Sequence, residues 1–259
     1  QRHWFKEFSR DHLLVRYDAR GNGLSDRAVD TFSVDEWVRD LETVADDMEL
    51  EHFCLMGWCQ GGATAITYAV RHPERISQLI LYDSYAQGAF VQGASQQERQ
   101  EAEALADMIA VGWGRENSAF RELFANLLIP DASKQQQRWL GELQRQTVAP
   151  ETAVQLWRAF HSIDVRDVAA LVTTPSLVLH LQGDQLVPFE KGRQLAALIP
   201  GSRFVPLNSC NHMLMADEPA WGHFLLEVHD FLGTGEQGRP AAGSSYLFPE
   251  LTSRECEIL

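Results

Sequence analysis

The sequence predicts an α/β fold: a doubly wound, mostly parallel sheet with a helical cap insertion between two of its strands. Three observations carry that prediction. Short, unbroken apolar runs recur along the 259 residues, each ending in turn residues. Such runs suit strands buried on both faces of a parallel sheet, where the alternation of a half-exposed strand is lost. Segments with apolar residues at helical spacing lie between them, and strand–helix alternation is the pattern of a parallel sheet with right-handed crossovers. The third observation is a stretch from about residue 88 to 164 with no strand-like run at all.

The elements follow in order. Leu13-Leu14-Val15-Arg16-Tyr17 reads as a strand leading into Asp18-Ala19-Arg20-Gly21-Asn22-Gly23, a structural turn. Ser33-Val34-Asp35-Glu36 is a capping box opening a helix with an apolar stripe of Val34, Trp37, Leu41, Val44, Ala45 and Met48. Phe53 to Met56 is the next strand. It runs into Gly57-Trp58-Cys59-Gln60-Gly61-Gly62, and a helix follows from Ala63 to Arg71. Leu79 to Tyr82 leads into Asp83-Ser84. The strandless stretch holds helices over Gln96 to Val111, Phe120 to Leu128, Ser133 to Thr147 and Glu151 to Phe160, punctuated by Pro130 and Pro150. Its apolar residues Met108, Trp113, Phe120, Phe124, Leu128, Trp139, Leu156, Trp157 and Phe160 are expected to pack mostly on one another, the alternative being that some line a pocket. Ser176 to Leu181 then leads into Gln182-Gly183-Asp184, and Phe204 to Leu207 into Asn208-Ser209-Cys210-Asn211-His212. A last amphipathic stretch carries Trp221, Phe224, Leu225, Val228 and Phe231. The implied division is a core in two parts, 1–87 and 165–232, a helical cap at 88–164, and a tail at 233–259 that begins as a linker.

Composition narrows the function. Formal charge is 22 − 36 = −14, which disfavours nonspecific binding to nucleic acid or an anionic membrane. No apolar run approaches the roughly 18 residues of a membrane span, and Gln1-Arg2-His3-Trp4-Phe5-Lys6 is not a signal peptide. The four cysteines, Cys54, Cys59, Cys210 and Cys256, form no CxxC pair, so neither a zinc site nor a disulfide framework is expected. The histidines carry no metal-ligand spacing, no cofactor is implied, and a reducing cytoplasm fits best.

Three chemistry-bearing residues fall at the C-terminal ends of expected strands: Cys59, Asp184 and His212. That edge of an open parallel sheet is where ligands bind. A sharp strand-to-helix turn bounded by small residues presents a nucleophile, and here cysteine stands where serine is usual in G-x-S-x-G. A free thiol is only slightly ionised at neutral pH, so it needs help from a helix N-terminus and an adjacent imidazole. His212 would take the thiol proton and return it to the leaving group, while Asp184 would fix the ring's tautomer. The Gln60 backbone N–H would be one oxyanion donor, and Trp58 is a candidate substrate-binding side chain. The plainer readings are a buried cysteine, a turn aspartate and a loop histidine.

These residues resemble the α/β-hydrolase family. Asp18-x-Arg20-Gly21-x-Gly23-x-Ser25-Asp26 is similar to its D-x-R-G-x-G-x-S-D turn, Pro73-Glu74-Arg75 after the elbow helix is familiar, and the elbow, Gly183-Asp184 and Asn211-His212 follow in the family's order of nucleophile, acid and histidine. The resemblance implies an α/β-hydrolase fold with a cap over the site and activity on small esters, thioesters or lactones. The cysteine elbow is similar to that of dienelactone hydrolases, and the cap-sized insertion brings the chain nearer to hydrolase domains fused to regulatory modules. No His-Gly dipeptide, the family's usual second oxyanion turn, occurs in the sequence. Residues 1–9 resemble the helix that follows that turn, so the expectation is a chain whose first strands are missing. Leu251-Thr252-Ser253-Arg254-Glu255-Cys256-Glu257-Ile258-Leu259 resembles the opening of a LuxR-type helix-turn-helix domain. That implies truncation at this end too, with DNA a partner only through a module mostly absent here. Two functions therefore stand: a cysteine hydrolase with an acyl-Cys59 intermediate, or a weakly catalytic sensor of a small acyl or lactone ligand within a transcriptional regulator.

Overall fold

The computed structural model describes residues 2–115 and 118–233. Helices α1 (Arg2–Asp11) and α2 (Val34–Asp47) precede strand β1 (Phe53–Trp58), α3 (Gly61–Arg71) and β2 (Ile76–Tyr82). The helical insertion follows as α4 (Gln96–Gly112), α5 (Ser118–Leu128), α6 (Lys134–Thr147) and α7 (Pro150–His161). Then come α8 (Arg166–Ala169), β3 (Ser176–Leu181), α9 (Phe189–Leu198), β4 (Arg203–Leu207) and α10 (Pro219–Leu232).

The strands form a fully parallel sheet in the order β1-β2-β3-β4. A sequential order with crossovers of one hand places every connecting helix on the same face. Accordingly Leu79, Leu81 and Val178 point into a core with α2, α3 and α9. Ile80, Tyr82, Leu177, Leu179 and Leu181 point the other way, against Trp4 of α1 and Trp221, Phe224 and Val228 of α10. Both faces are thus covered, as unbroken apolar strands require.

Leu13–Tyr17 departs from expectation. The segment is not a strand, and Leu13 is 71% exposed. A strand needs a neighbour to complete its ladder hydrogen bonds. No described strand pairs with this segment, and β1, the strand nearest it in sequence, pairs only with β2. The turn after it is structural, as expected. Asp18 Oδ2 accepts from the Leu24 N–H at 2.9 Å, and Arg20 binds Asp40 at 2.6–2.7 Å and Glu36 at 2.8 Å. Those pairs also explain why Ser33–Glu36 is only half a capping box. Ser33 Oγ accepts from the Glu36 N–H, but the Glu36 carboxylate is taken by Arg20 and Arg39. Complete boxes form instead at Ser95/Glu98 and Ser133/Gln136.

The insertion leaves and re-enters the core at one place. An isolated bridge joins Gln87 to Asp164, flanked by Gly88 N–H to Ile163 O and Val165 N–H to Ala86 O, both 2.8 Å. Trp113, Phe120, Phe124 and Trp157 form an aromatic chain through it, mostly edge to face, with Phe124 lying 5.7 Å from Trp113 and 5.9 Å from Trp157. Trp139 does not join them: it is 56% exposed on the outer side of α6. The insertion joins the main core through α4 and α7, with Phe160 5.5 Å from Trp37, and near α5 and α6 Ala125, Ile129 and Leu140 pack against Met213 and Met215, just after His212. The linker and the regulator-like residues 251–259 lie outside the described residues.

Candidate active site

β1 delivers the chain to Cys59, whose φ of 53° lies in the left-handed region. A side chain with a β-carbon is disfavoured there by roughly 1–3 kcal/mol, and such strain gathers at functional sites. It is held by Cys59 N–H to Tyr82 O at 2.9 Å and Gly62 N–H to Cys59 O at 3.0 Å. Two glycines let strand and helix come this close. A β-carbon on Gly57 would stand 2.7 Å from Gly62 Cα and 2.8 Å from Ala65 Cβ, and one on Gly62 would stand 2.4 Å from Ser84 Oγ. The half-buried Cys59 leads into α3, so the Gln60 N–H belongs to the first turn, where amides have no intrahelical acceptor.

Asp184 follows β3 and His212 follows β4, both buried. His212 Nδ1 and Asp184 Oδ2 are 2.6 Å apart, and Asp184 Oδ1 accepts from the Leu186 N–H at 2.8 Å. The histidine loop is tied down from several sides. Tyr82 Oη–H donates to His212 O at 3.2 Å, and Trp4 Nε1–H to Leu214 O at 3.1 Å. Glu218 accepts from Ser209 Oγ–H at 2.5 Å, from Asn211 Nδ2 and from the Met215 N–H. The insertion adds a further tie: the Asp131 N–H donates to Asn211 Oδ1 at 3.0 Å, and Cys210 Sγ–H to Asp131 Oδ2 at 3.0 Å.

Trp58, the candidate substrate-binding side chain, is half-buried. Its ring stacks on Trp4 at 4.9 Å, and its Nε1–H donates to His212 Nε2 at 3.2 Å. An indole can only donate, so Nε2 is the acceptor and the neutral ring carries its proton on Nδ1, facing Asp184. Cys59 lies close enough to act on the same imidazole. Burial pulls the His212 pKa down, but the Cys59 charge and the hydrogen bonds to Asp184 and Cys59 outweigh it and hold it well above the usual range. Nε2 thus meets two opposing demands: the Trp58 N–H favours a neutral ring, and the groups around the imidazole favour a protonated one.

A parallel sheet carrying a strained cysteine, then an aspartate, then a histidine beyond successive strands invites comparison with known proteins. The profile of the alpha/beta hydrolase fold matches residues 1–219. The chain belongs to the α/β-hydrolase family. Among curated α/β-hydrolases it is 25% identical over 209 residues to the AB hydrolase superfamily protein YisY of Bacillus subtilis, covering 81% of this chain and 78% of that protein. It is 24% identical to the 2-hydroxymuconate semialdehyde hydrolase of a Pseudomonas strain, covering 89% and 80%. Among solved structures it superposes on an esterase from Exiguobacterium antarcticum with a TM-score of 0.73 at 22% identity, covering 83% and 80%.

In this α/β-hydrolase chain the three residues singled out by sequence meet, as neighbours of one imidazole. Four contributors were missed: Glu218, Asn211 and Tyr82, which fix the histidine loop, and Asp83, which is buried beside His212. Asp83 carried one readable signal, an aspartate immediately after a strand. Among the described residues, one group of three or more possible ligand side chains lies close enough to hold a metal ion, and it is Asp83, Asp184 and His212 themselves. Two of those three are already joined by the Asp184–His212 hydrogen bond.

Proposed function

We propose that this chain is a cysteine-nucleophile hydrolase of small esters, thioesters or lactones, working through Cys59, His212 and Asp184. The observation that carries the reading is the left-handed Cys59 at the strand–helix elbow, beside a buried imidazole already bonded to a carboxylate at 2.6 Å. In the first half-reaction Cys59 Sγ–H gives its proton to His212 Nε2, from which the Trp58 N–H must withdraw. The thiolate bonds to the substrate carbonyl carbon, and the Gln60 N–H donates to the resulting oxyanion. Collapse breaks the bond to the leaving group, which takes the proton from Nε2 and departs as an alcohol or thiol. Water then attacks the acyl-cysteine, giving its proton to Nε2. Collapse of the second oxyanion returns the thiolate, which recovers that proton, and the acid is released. Asp184 holds Nδ1–H throughout and stabilises the imidazolium. The helical insertion, tied to the histidine loop at Asp131, serves as the cap.

The names of the relatives, a semialdehyde hydrolase and an esterase, support hydrolysis without fixing the bond or the substrate. Steady-state hydrolysis of a panel of short-chain p-nitrophenyl esters, thioesters and lactones tests the reading. Cys59→Ala and His212→Ala are expected to abolish turnover, and Cys59→Ala to keep a melting temperature near that of the parent. Full activity in Cys59→Ala would rule the mechanism out.

One observation favours a second reading, a ligand sensor with little turnover. The lone pair that must accept the thiol proton is occupied by Trp58. A sensor would bind an acyl or lactone ligand with the same affinity in Cys59→Ala, and would not hydrolyse it.

A further inference from the structure

Gln137 lies on α6, is 2% exposed, and takes no part in the mechanism above. A buried amide has to place both its hydrogens and its oxygen. Lys134 Nζ–H donates to its Oε1 at 3.1 Å, so Nε2 faces the turn between α5 and α6. There Nε2 donates to Ile129 O at 3.1 Å, to Asn126 Oδ1 at 3.2 Å and to Pro130 O at 3.4 Å. The two carbonyls lie just past the end of α5, where Pro130 stops the helix and carbonyls lack intrahelical donors. The Ala132 N–H closes on Ile129 O at 3.2 Å, and Ser133 caps α6. Gln137 thus fixes the shape of the turn over residues 129–133.

That turn is where the insertion meets the histidine loop. The Asp131 N–H donates to Asn211 Oδ1 at 3.0 Å, and Asp131 Oδ2 accepts from Cys210 Sγ–H at 3.0 Å. Asn211 is 3% exposed and directly precedes His212. Its side chain is held from both sides, the oxygen by the insertion and the nitrogen by Glu218. On the other side of His212, Met213 and Met215 pack against Ile129 and Leu140. The same turn of the insertion therefore grips the chain both before and after the imidazole. Asp131 itself is exposed, so water competes for its contacts. An amide already aimed at its acceptor loses less freedom on bonding, and the hold on Asn211 depends on the turn being set in advance. Gln137 supplies that pre-organisation from inside the insertion.

We propose that Gln137 is a positioning residue for His212: it presets the α5–α6 turn, the turn holds Asn211, and the imidazole keeps its aim only while the insertion is seated on the histidine loop. The insertion is then part of the acid–base machinery as well as its cover. This rests on His212 being the general base proposed above.

The test is a cycle of Gln137→Met, Asn211→Ala and the double variant, with Trp113→Phe as control. Methionine keeps the length of glutamine without its donors. Trp113→Phe removes a buried hydrogen bond elsewhere in the insertion, from Nε1–H to Val148 O at 3.0 Å. Two readouts are followed: the His212 titration by NMR, which needs no substrate, and kcat and KM for p-nitrophenyl acetate. Gln137→Met is expected to lower kcat about tenfold with KM within about twofold of the parent, because it misaligns the base and leaves the substrate's contacts in place. The raised titration of His212 moves down towards the ordinary range as its hold beside Asp184 loosens. Trp113→Phe leaves both readouts near the parent's while lowering the melting temperature. The double variant is no worse than Asn211→Ala, since the two residues act along one chain of contacts. The proposal is overturned if Gln137→Met keeps the parent's kcat and titration, if Trp113→Phe reproduces its losses, or if the losses of Gln137→Met and Asn211→Ala multiply in the double variant. Should Gln137→Met not fold, Gln137→Asn, whose amide is one methylene too short for the turn, carries the same comparison. Absence of turnover in the parent protein would count against the hydrolase reading, and the titration would still decide the role of Gln137.

Discussion

Trp58 donates its indole N–H to His212 Nε2 at 3.2 Å, occupying the lone pair that a Cys59 proton would need. The hydrogen bond stabilises the neutral imidazole and so opposes the thiolate–imidazolium pair. Trp58→Phe keeps a ring against Trp4 and Tyr82 but removes the donor. A neutral hydrogen bond contributes about 1 kcal/mol, so alkylation of Cys59 by iodoacetamide near pH 6.5 should become roughly fivefold faster. An unchanged or slower rate would show that the indole does not restrain the base.

The elbow glycines divide sharply. Gly57 and Gly62 have no room for a β-carbon, whereas one on Gly61 would meet nothing within 4 Å. Gly57→Ala and Gly62→Ala should each lose about 1–3 kcal/mol, a fall of several degrees in melting temperature for a protein of this size. Gly61→Ala should match the parent or gain slightly, because alanine is the better helix former. Thermal melts of the three variants check the ordering.

Glu218 ties together Ser209, Asn211 and the Met215 amide across the histidine loop. Glu218→Ala leaves those donors without their acceptor. It should cost about 1–3 kcal/mol of stability, and it should lower kcat more than it raises KM, since the loop positions His212 rather than binding substrate. A variant with normal kcat would separate the loop from catalysis.

His161 gives a pH dependence whose sign is fixed by its surroundings. It is packed 4.4 Å from Trp157 and 5.6 Å from Phe90, and burial, aided by the charge of Lys191, lowers its pKa from 6.5 to about 4. Between those values the unfolded chain binds a proton that the folded protein refuses. The contribution is therefore complete above pH 6.5 and is lost as pH falls towards 4, on the order of 3 kcal/mol in all. Urea denaturation from pH 7 to 4 should show a shallower loss in His161→Gln than in the parent; parallel curves would contradict the assignment.

Much of this was legible in the chain, for identifiable reasons. Ser176–Leu181 forms a strand over the residues its apolar run marks, because it is buried on both faces and nothing else explains the run. Leu13–Tyr17 has the same apolar look without a partner strand, and composition does not report whether a partner is present. Trp139 lies on an amphipathic helix, but periodicity identifies a face, not what covers it. Cys59, Asp184 and His212 were readable because each directly follows its strand or turn. The contacts of Trp58 and Asp83 with His212 were not, since they join positions 154 and 129 residues apart (212 − 58 and 212 − 83) through the alignment of the strand ends.

The central claim is that Cys59 is a working nucleophile. Intact-mass analysis of the protein seconds after mixing with p-nitrophenyl acetate addresses it directly, with Cys59→Ala as control. The account predicts one acetyl group on the parent protein, mapped by peptide digestion to Cys59, decaying with time and absent from the variant. Folded protein that forms no adduct, or forms the same adduct without Cys59, would contradict it.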